Sequence, residues 1–216
     1  MTRWIGCAVL ALMTAACTAP PRPERQTRTS ISVKGLVEAI TADAQRTEHE
    51  PDSKIRGELA AEAGRDANAC LALEPQAAAC LYGHALALGL EARAHPTRAS
   101  ELLNDMLGEL ASAETADPNY DEAGPARVRA LVLIRAPSWP LGPGDAATGL
   151  VAARRAVGLR PQYPPNLLAL AEASAKTGDT NAARESYQRA RDAAQALPAS
   201  ADRDEWLREA DQALRR

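Results

Sequence analysis

From residue 31 onward, apolar positions recur at three- and four-residue intervals, in blocks divided by proline, glycine and aspartate. No segment alternates with period two over β-branched residues, so the pattern is helical throughout. The spacing predicts helices over about 31–48, 53–73, 76–94, 97–116, 122–136, 145–159, 165–177, 179–196 and 200–215. The breaks fall at Glu74-Pro75-Gln76, at Asp117-Pro118-Asn119-Tyr120 and at Pro161, where proline stops a helix. That amounts to four helical hairpins and a closing helix, whose Trp206 and Leu207 would cap the apolar face of the last unit.

The blocks repeat. An offset of 34 residues carries Leu133-Ile134-Arg135-Ala136 onto Leu167-Leu168-Ala169-Leu170, Gly144-Asp145 onto Gly178-Asp179 and Arg155-Ala156 onto Arg189-Ala190, and sets Ala153 opposite Tyr187. Glycine suits the end of one helix, aspartate caps the next, and a late alanine lets neighbouring helices approach. Upstream, Ala113 stands five residues before Pro118 and Cys70 five before Pro75, as Ala156 does before Pro161. A 34-residue helix–turn–helix period of this kind resembles the tetratricopeptide repeat. The expected fold is all-α: about four such hairpins stacked as a short right-handed solenoid, with a C-terminal capping helix. In such repeats the first helix of each hairpin lines the concave groove.

Composition narrows the core. There is no Phe, and aromatics make up 3% of residues, so the interior must be Leu, Ala, Val and Ile. Side chains that small suit close helix packing and leave little for a cofactor box. Cys70 and Cys80 flank the break at Pro75. A helical hairpin would bring them together as a disulfide, or they pack as two small buried thiols. No CxxC or histidine cluster accompanies them to suggest a metal.

The first thirty residues read differently. Arg3 precedes an apolar run from Ile5 to Met13, too short to span a bilayer and of the length of a signal-peptide core. It leads into Leu12-Met13-Thr14-Ala15-Ala16-Cys17, which resembles the lipobox of bacterial lipoproteins; Thr14 departs from the usual leucine. An ordinary secretory peptide cleaved after Ala16 is the rival reading. Pro, Thr and Arg dominate from Thr18 to Ser30, a composition that cannot bury a core and suits a tether. The expected organisation is a signal at 1–16, a lipidated tether at 17–30 anchored through Cys17, and a repeat domain at 31–216. Thr18 is not the aspartate that retains lipoproteins in the inner membrane, so the outer membrane, facing the periplasm, is the expected place. Without Arg3 the mature chain has 24 basic against 28 acidic residues, a net charge of −4. That balance argues against nucleic acid as a partner.

A narrower resemblance lies between Asp117 and about Ala190. Asp117-Pro118-Asn119-Tyr120 is followed by Gly124-Pro125-Ala126-Arg127-Val128, then Ala136-Pro137-Ser138-Trp139-Pro140, then Gly144-Asp145, with an Ala-rich helix ending at Pro161. The stretch resembles the T-component of tripartite ATP-independent periplasmic (TRAP) transporters, a family of repeat-containing lipoproteins. The resemblance implies a periplasmic accessory protein that contacts the transporter's solute-binding subunit, with an apolar ligand channel. It covers about a third of the chain, and the first hundred residues carry none of its motifs.

The candidate binding residues are Arg127, Leu131, Ile134, Trp139 and Leu168. Arg127 either bonds the turn above it or faces a partner; as a structural residue it would close the Pro137–Pro143 loop. Trp139, among prolines, is placed for an interface or as a lid over the helix bearing Leu131 to Ile134. Leu131, Ile134 and Leu168 line the concave groove or pack against the closing helix. Nothing points to catalysis or to a cofactor. His49, His84 and His95 are scattered, Gly142-Pro143-Gly144 lacks the lysine of a phosphate loop, and no nucleophile elbow is present. The expected role is a membrane-anchored scaffold for a periplasmic protein.

Overall fold

The computed structural model describes residues 32–215. The signal at 1–16, Cys17 and its tether lie outside the described residues. Within them the chain forms α1 (Val33–His49), α2 (Ser53–Leu73), α3 (Ala78–Ala94), a 3-10 turn at Pro96–Arg98, α4 (Ala99–Ala116), α5 (Tyr120–Arg135), α6 (Ala146–Leu159), α7 (Pro164–Lys176), α8 (Thr180–Gln195) and α9 (Ala201–Leu214). Among the described residues no helix is long and apolar enough to cross a membrane.

Local chemistry sets the starts. The side chains of Ser32, Asp52, Asp145, Asp179 and Ser200 each accept a hydrogen bond from a backbone N–H of the first turn that follows. Pro164 opens α7, where a missing N–H costs nothing. Gly178, at φ +87°, supplies the left-handed step between α7 and α8.

Each helix packs on the next, and α1, α3, α5, α7 and α9 also touch in succession. The backbones of α2, α4, α6 and α8 do not approach one another in this way. First helices therefore form one continuous layer and second helices a splayed outer one, as expected of a solenoid with four hairpins and a closing helix. Alanine fills the crossings: Ala60, Ala63 and Ala67 of α2 pack on Ile40 and Leu90, and Ala152 and Ala153 of α6 pack on Ile134. Outside the core, Glu114 of α4 holds Arg155 of α6 and Arg129 of α5.

Cys70 and Cys80 are bonded across the α2–α3 hairpin, with Cα atoms 5.3 Å apart, and are fully buried beside Leu36. Closing a ten-residue loop stabilises by roughly 2–3 kcal/mol on the chain-entropy view. Replacing both cysteines with serine is expected to lower the unfolding free energy by that amount, measured by chemical denaturation. Reductant should then have no further effect on the variant, whereas it should destabilise the parent chain.

The repeat differs from its expected form in one respect. Asp145 and Asp179, 34 residues apart, are both caps, so α6 and α8 correspond at that offset. First helices do not. Ten residues separate α5 from α6, but three separate α7 from α8. Leu133 to Ala136 thus end α5, while Leu167 to Leu170 lie in the first turns of α7, and the identity between them is not structural. A longer loop in one unit displaced the register.

Candidate functional site

The α5 helix begins with Asp121, Glu122 and Ala123 in the left-handed region, at φ 47°, 53° and 65°. For residues with a Cβ each such step costs on the order of 1–2 kcal/mol, so the surroundings must hold the turn. Arg127 does most of it. Its Nη1 donates to the carbonyls of Asp121 (3.1 Å) and Glu122 (3.3 Å), and its Nη2 donates to Asp121 Oδ2 at 2.7 Å. The Tyr82 hydroxyl donates to the same carboxylate oxygen at 2.9 Å. Gly124 must be glycine here, because a Cβ would stand 2.7 Å from Asp121 Oδ2 and 3.0 Å from Tyr82 Cζ.

Asn166, fully buried on α7, completes the latch. Its Oδ1 accepts from Arg127 Nη1 at 3.2 Å, and its Nδ2 donates to the carbonyls of Glu122 (2.9 Å), Ala156 (3.2 Å) and Arg160 (3.4 Å). The Arg127 guanidinium lies 5.3 Å over the Tyr163 ring, which meets Trp206 of α9 edge-on at 5.7 Å. Burial pushes the Tyr82 phenol far above its ordinary range, with the charge of Arg127 pulling the other way. One chain of contacts thus joins α3, α5, α7 and α9, all first-layer helices.

Arg127 is 8% exposed and occupied by this turn. It does not close the Pro137–Pro143 loop, as a structural arginine was expected to do. That loop closes through its own backbone. Gly144 N donates to Pro137 O (2.8 Å), Asp145 N to Leu133 O (2.8 Å) and Leu141 N to Ser138 O (3.1 Å). Gly144 allows it, since a Cβ there would overlap the Ala136 carbonyl oxygen. Its role is close approach rather than the left-handed cap that the sequence implied. Trp139 is 88% exposed and Leu141 77%, so Trp139 is no lid over α5.

Of the two placements expected for the apolar candidates, Leu168 takes the one against the closing helix, and Ile134 packs on other helices. Ile134 is buried against Ala152, Ala153 and Ala173, and Leu168 against Leu167, Ala190 and Ala210 of the closing helix. Leu131 is half-buried beside Ile134. Packing between helices consumed Ile134 and Leu168. Across α5, α7 and α9 charged groups are accessible beside Leu131. Arg135 Nε donates to Glu172 Oε1 at 2.9 Å and its Nη2 to Glu172 Oε2 at 2.6 Å, a two-pronged pair. Nearby, burial raises the Glu209 carboxyl above the ordinary glutamate value; Arg135 opposes this, while Glu172 and Glu205 reinforce it. A raised carboxyl means that the folded chain holds this proton more tightly than the unfolded one, so the group's contribution to stability falls as pH rises through that raised value. Glu209→Gln is expected to raise the melting temperature slightly at neutral pH, and to change nothing below about pH 4, where both side chains are uncharged.

Among the described residues little else offers chemistry. Among the described residues no three of His, Cys, Asp and Glu gather to hold a metal ion. His84 Nδ1 lies 3.2 Å from Glu109 Oε1, an ion pair only when the imidazole is protonated, and it makes no other hydrogen bond.

Comparison with known proteins adds the fold. The chain matches the crystal structure of TTC0263, a thermophilic TPR protein of Thermus thermophilus, with a TM-score of 0.57 and 19% identity, over 85% of this chain and 93% of that one. The fold is a tetratricopeptide repeat. No family model matches, and no curated protein matches. In the tetratricopeptide frame α1, α3, α5 and α7 are the first helices of their units, and α9 closes the array. The latch around Arg127 sits where successive first helices meet. Sequence reasoning singled out Arg127 but missed Tyr82, Asp121, Tyr163 and Asn166. The available signal was Asn166 itself, a polar side chain inside the apolar run Pro164 to Leu170.

Proposed function

We propose that this chain is a tetratricopeptide scaffold of the bacterial envelope, held at a membrane through Cys17 and docking a periplasmic protein on its layer of first helices. The carrying observation is the continuity of that layer from α1 to α9, with Arg135, Glu172 and Glu209 at its accessible face. Charged, hydrogen-bonding groups on a rigid curved array suit a peptide or protein surface. With Ile134 and Leu168 buried in the core, support for a lipid-like ligand on this face is correspondingly weaker. An accessory role like that of a TRAP transporter T-component is the narrower form of the same reading, with a solute-binding subunit as the partner. Its support is the motif from Asp117 to Asp145, several of whose residues (Gly124, Arg127, Gly144 and Asp145) build the latch and the loop. That motif therefore speaks for shared architecture first.

Photo-crosslinking in intact cells tests the reading. A crosslinker at Arg135 or Glu205, on first-layer helices, is expected to capture one discrete protein. The same group at the exposed Arg154 or Arg184, on the outer layer, is expected to capture nothing. Equal capture from both layers, or from neither, would sink the scaffold reading. Cys17→Ala is expected to move the protein from the membrane fraction to the soluble periplasm or to leave it unprocessed; mature protein retained on the membrane would contradict the anchor.

A further inference from the structure

The most exposed large apolar side chains of the described residues, Trp139 and Leu141, share one loop between α5 and α6. The first-layer docking face does not use them. From Ala136 to Gly144 the loop carries no charged side chain, in a chain where 25% of residues are charged. Its backbone is equally poor in free donors. Pro137, Pro140 and Pro143 have no N–H, and the N–H groups of Leu141 and Gly144 are bonded within the loop. Unpaired backbone N–H and C=O groups oppose entry into the hydrocarbon core, so a tip with few free donors is suited to the interfacial layer and not to the core. The tip is also stiff, since Gly142 and Gly144 pack so closely on the carbonyls of Pro137 and Ala136 that no Cβ fits. Little conformational entropy is lost when it engages a surface.

A protein partner fits this tip poorly. Trp139 offers at most about 250 Å², against the roughly 800 Å² per side of a stable protein interface. Its exposed neighbours at positions 137, 138 and 140 bring two prolines and one serine, not the polar rim that surrounds a protein hot spot. A tryptophan and a leucine on a donor-poor, uncharged knob match the boundary between water and hydrocarbon, where the indole ring concentrates.

We propose that the Trp139–Leu141 loop is a membrane-contact element, its two side chains entering the interface of a lipid bilayer and orienting the domain against it. Two side chains alone hold a protein weakly, so the proposal rests on the membrane-anchored reading for proximity, the loop acting as a second signal beside the lipid. The loop carries no charged side chain, so the contact is apolar and should be insensitive to salt.

The test uses full-length protein recovered from cells, with Trp4→Phe and Trp206→Phe so that Trp139 is the only tryptophan. It is mixed with excess phosphatidylcholine vesicles whose acyl chains carry bromine, a contact quencher. Trp139 is expected to lose most of its fluorescence relative to unbrominated vesicles, and Leu141→Asp is expected to abolish that loss without moving the melting temperature. Flotation with the vesicles reports the anchor separately. A chain that floats with Trp139 unquenched overturns the loop proposal and leaves the anchor standing. Quenching without flotation, in excess vesicles, supports the loop and removes the anchor. Neither flotation nor quenching removes both. Quenching that persists unchanged in Leu141→Asp overturns the proposal, as does an unquenched Trp139 whose position captures a protein when it carries a crosslinker in cells.

Discussion

Asn166→Ala is expected to destabilise the fold by about 4 kcal/mol, the sum of four lost buried hydrogen bonds at about 0.5–1.5 kcal/mol each. The side chain is fully buried and makes hydrogen bonds to Arg127 and to the carbonyls of Glu122, Ala156 and Arg160. Alanine would leave the Glu122 carbonyl with only its longer bond from Arg127 and remove the guanidinium's contact to α7, where water is scarce. It would also release the left-handed turn at Asp121 to Ala123, whose strain those bonds offset. In a domain of this size the melting temperature should fall by about 8–16 °C. Because Asn166 and Arg127 act on one turn, their losses should not add. The double variant with Arg127→Ala is expected to cost less than the two single changes together, and a strictly additive cycle would refute a shared latch.

Gly144→Ala is the second large effect. A Cβ at 144 would overlap the Ala136 carbonyl oxygen and meet the Pro137 carbonyl oxygen at 2.8 Å. Both atoms are backbone and cannot swing aside like the end of a flexible side chain. The base of the loop must open, breaking the bond from Gly144 N to Pro137 O and the neighbouring one from Asp145 N to Leu133 O. Overpacking of this kind costs about 3 kcal/mol, measured as a lower denaturation midpoint with unchanged cooperativity. The same substitution should loosen the tip and weaken the quenching of Trp139 by brominated lipid. Gly158→Ala, with nothing within 4 Å of the added Cβ, serves as the control and should be neutral or slightly stabilising, since it replaces glycine within a helix.

The two variants bear on different parts of the proposed function. Asn166 and Arg127 fix how α7 sits on α5, and so the line of the first-helix layer. Gly144 fixes only how the loop projects. Loss of partner capture at Arg135 in Asn166→Ala, together with its retention in Gly144→Ala, is the expected pattern if the layer binds protein and the loop does not.

Several features were legible in the residues alone. The helices α1 to α9 follow from the spacing of leucine and alanine and from stops at Pro75, Pro118 and Pro161, because helical periodicity and backbone breakers act over a few residues. The capping aspartates at 145 and 179 announced the second helices of two repeats for the same reason. The proximity of Cys70 and Cys80 followed from a hairpin between them.

What the sequence could not determine depends on which helix face meets which. Ile134 and Leu168 carry the same apolar signature whether they line a groove or fill a core, and only the stacking of α5, α6 and α7, and of α7, α8 and α9, placed them inside. The 34-residue offset equated Leu133 with Leu167 because a linear alignment cannot see a longer loop projecting into solvent. Arg127 drew attention by its motif, but the latch is assembled from distant parts of the chain. Tyr82 stands 39 residues before its partner Asp121, and Asn166 stands 39 residues after Arg127. A buried charge is satisfied by whatever the packed layers bring to it, and that geometry is written in no local pattern. The elements were set by short-range sterics and hydrophobic period; the latch, the loop's projection and the charged inner face were decided by tertiary packing.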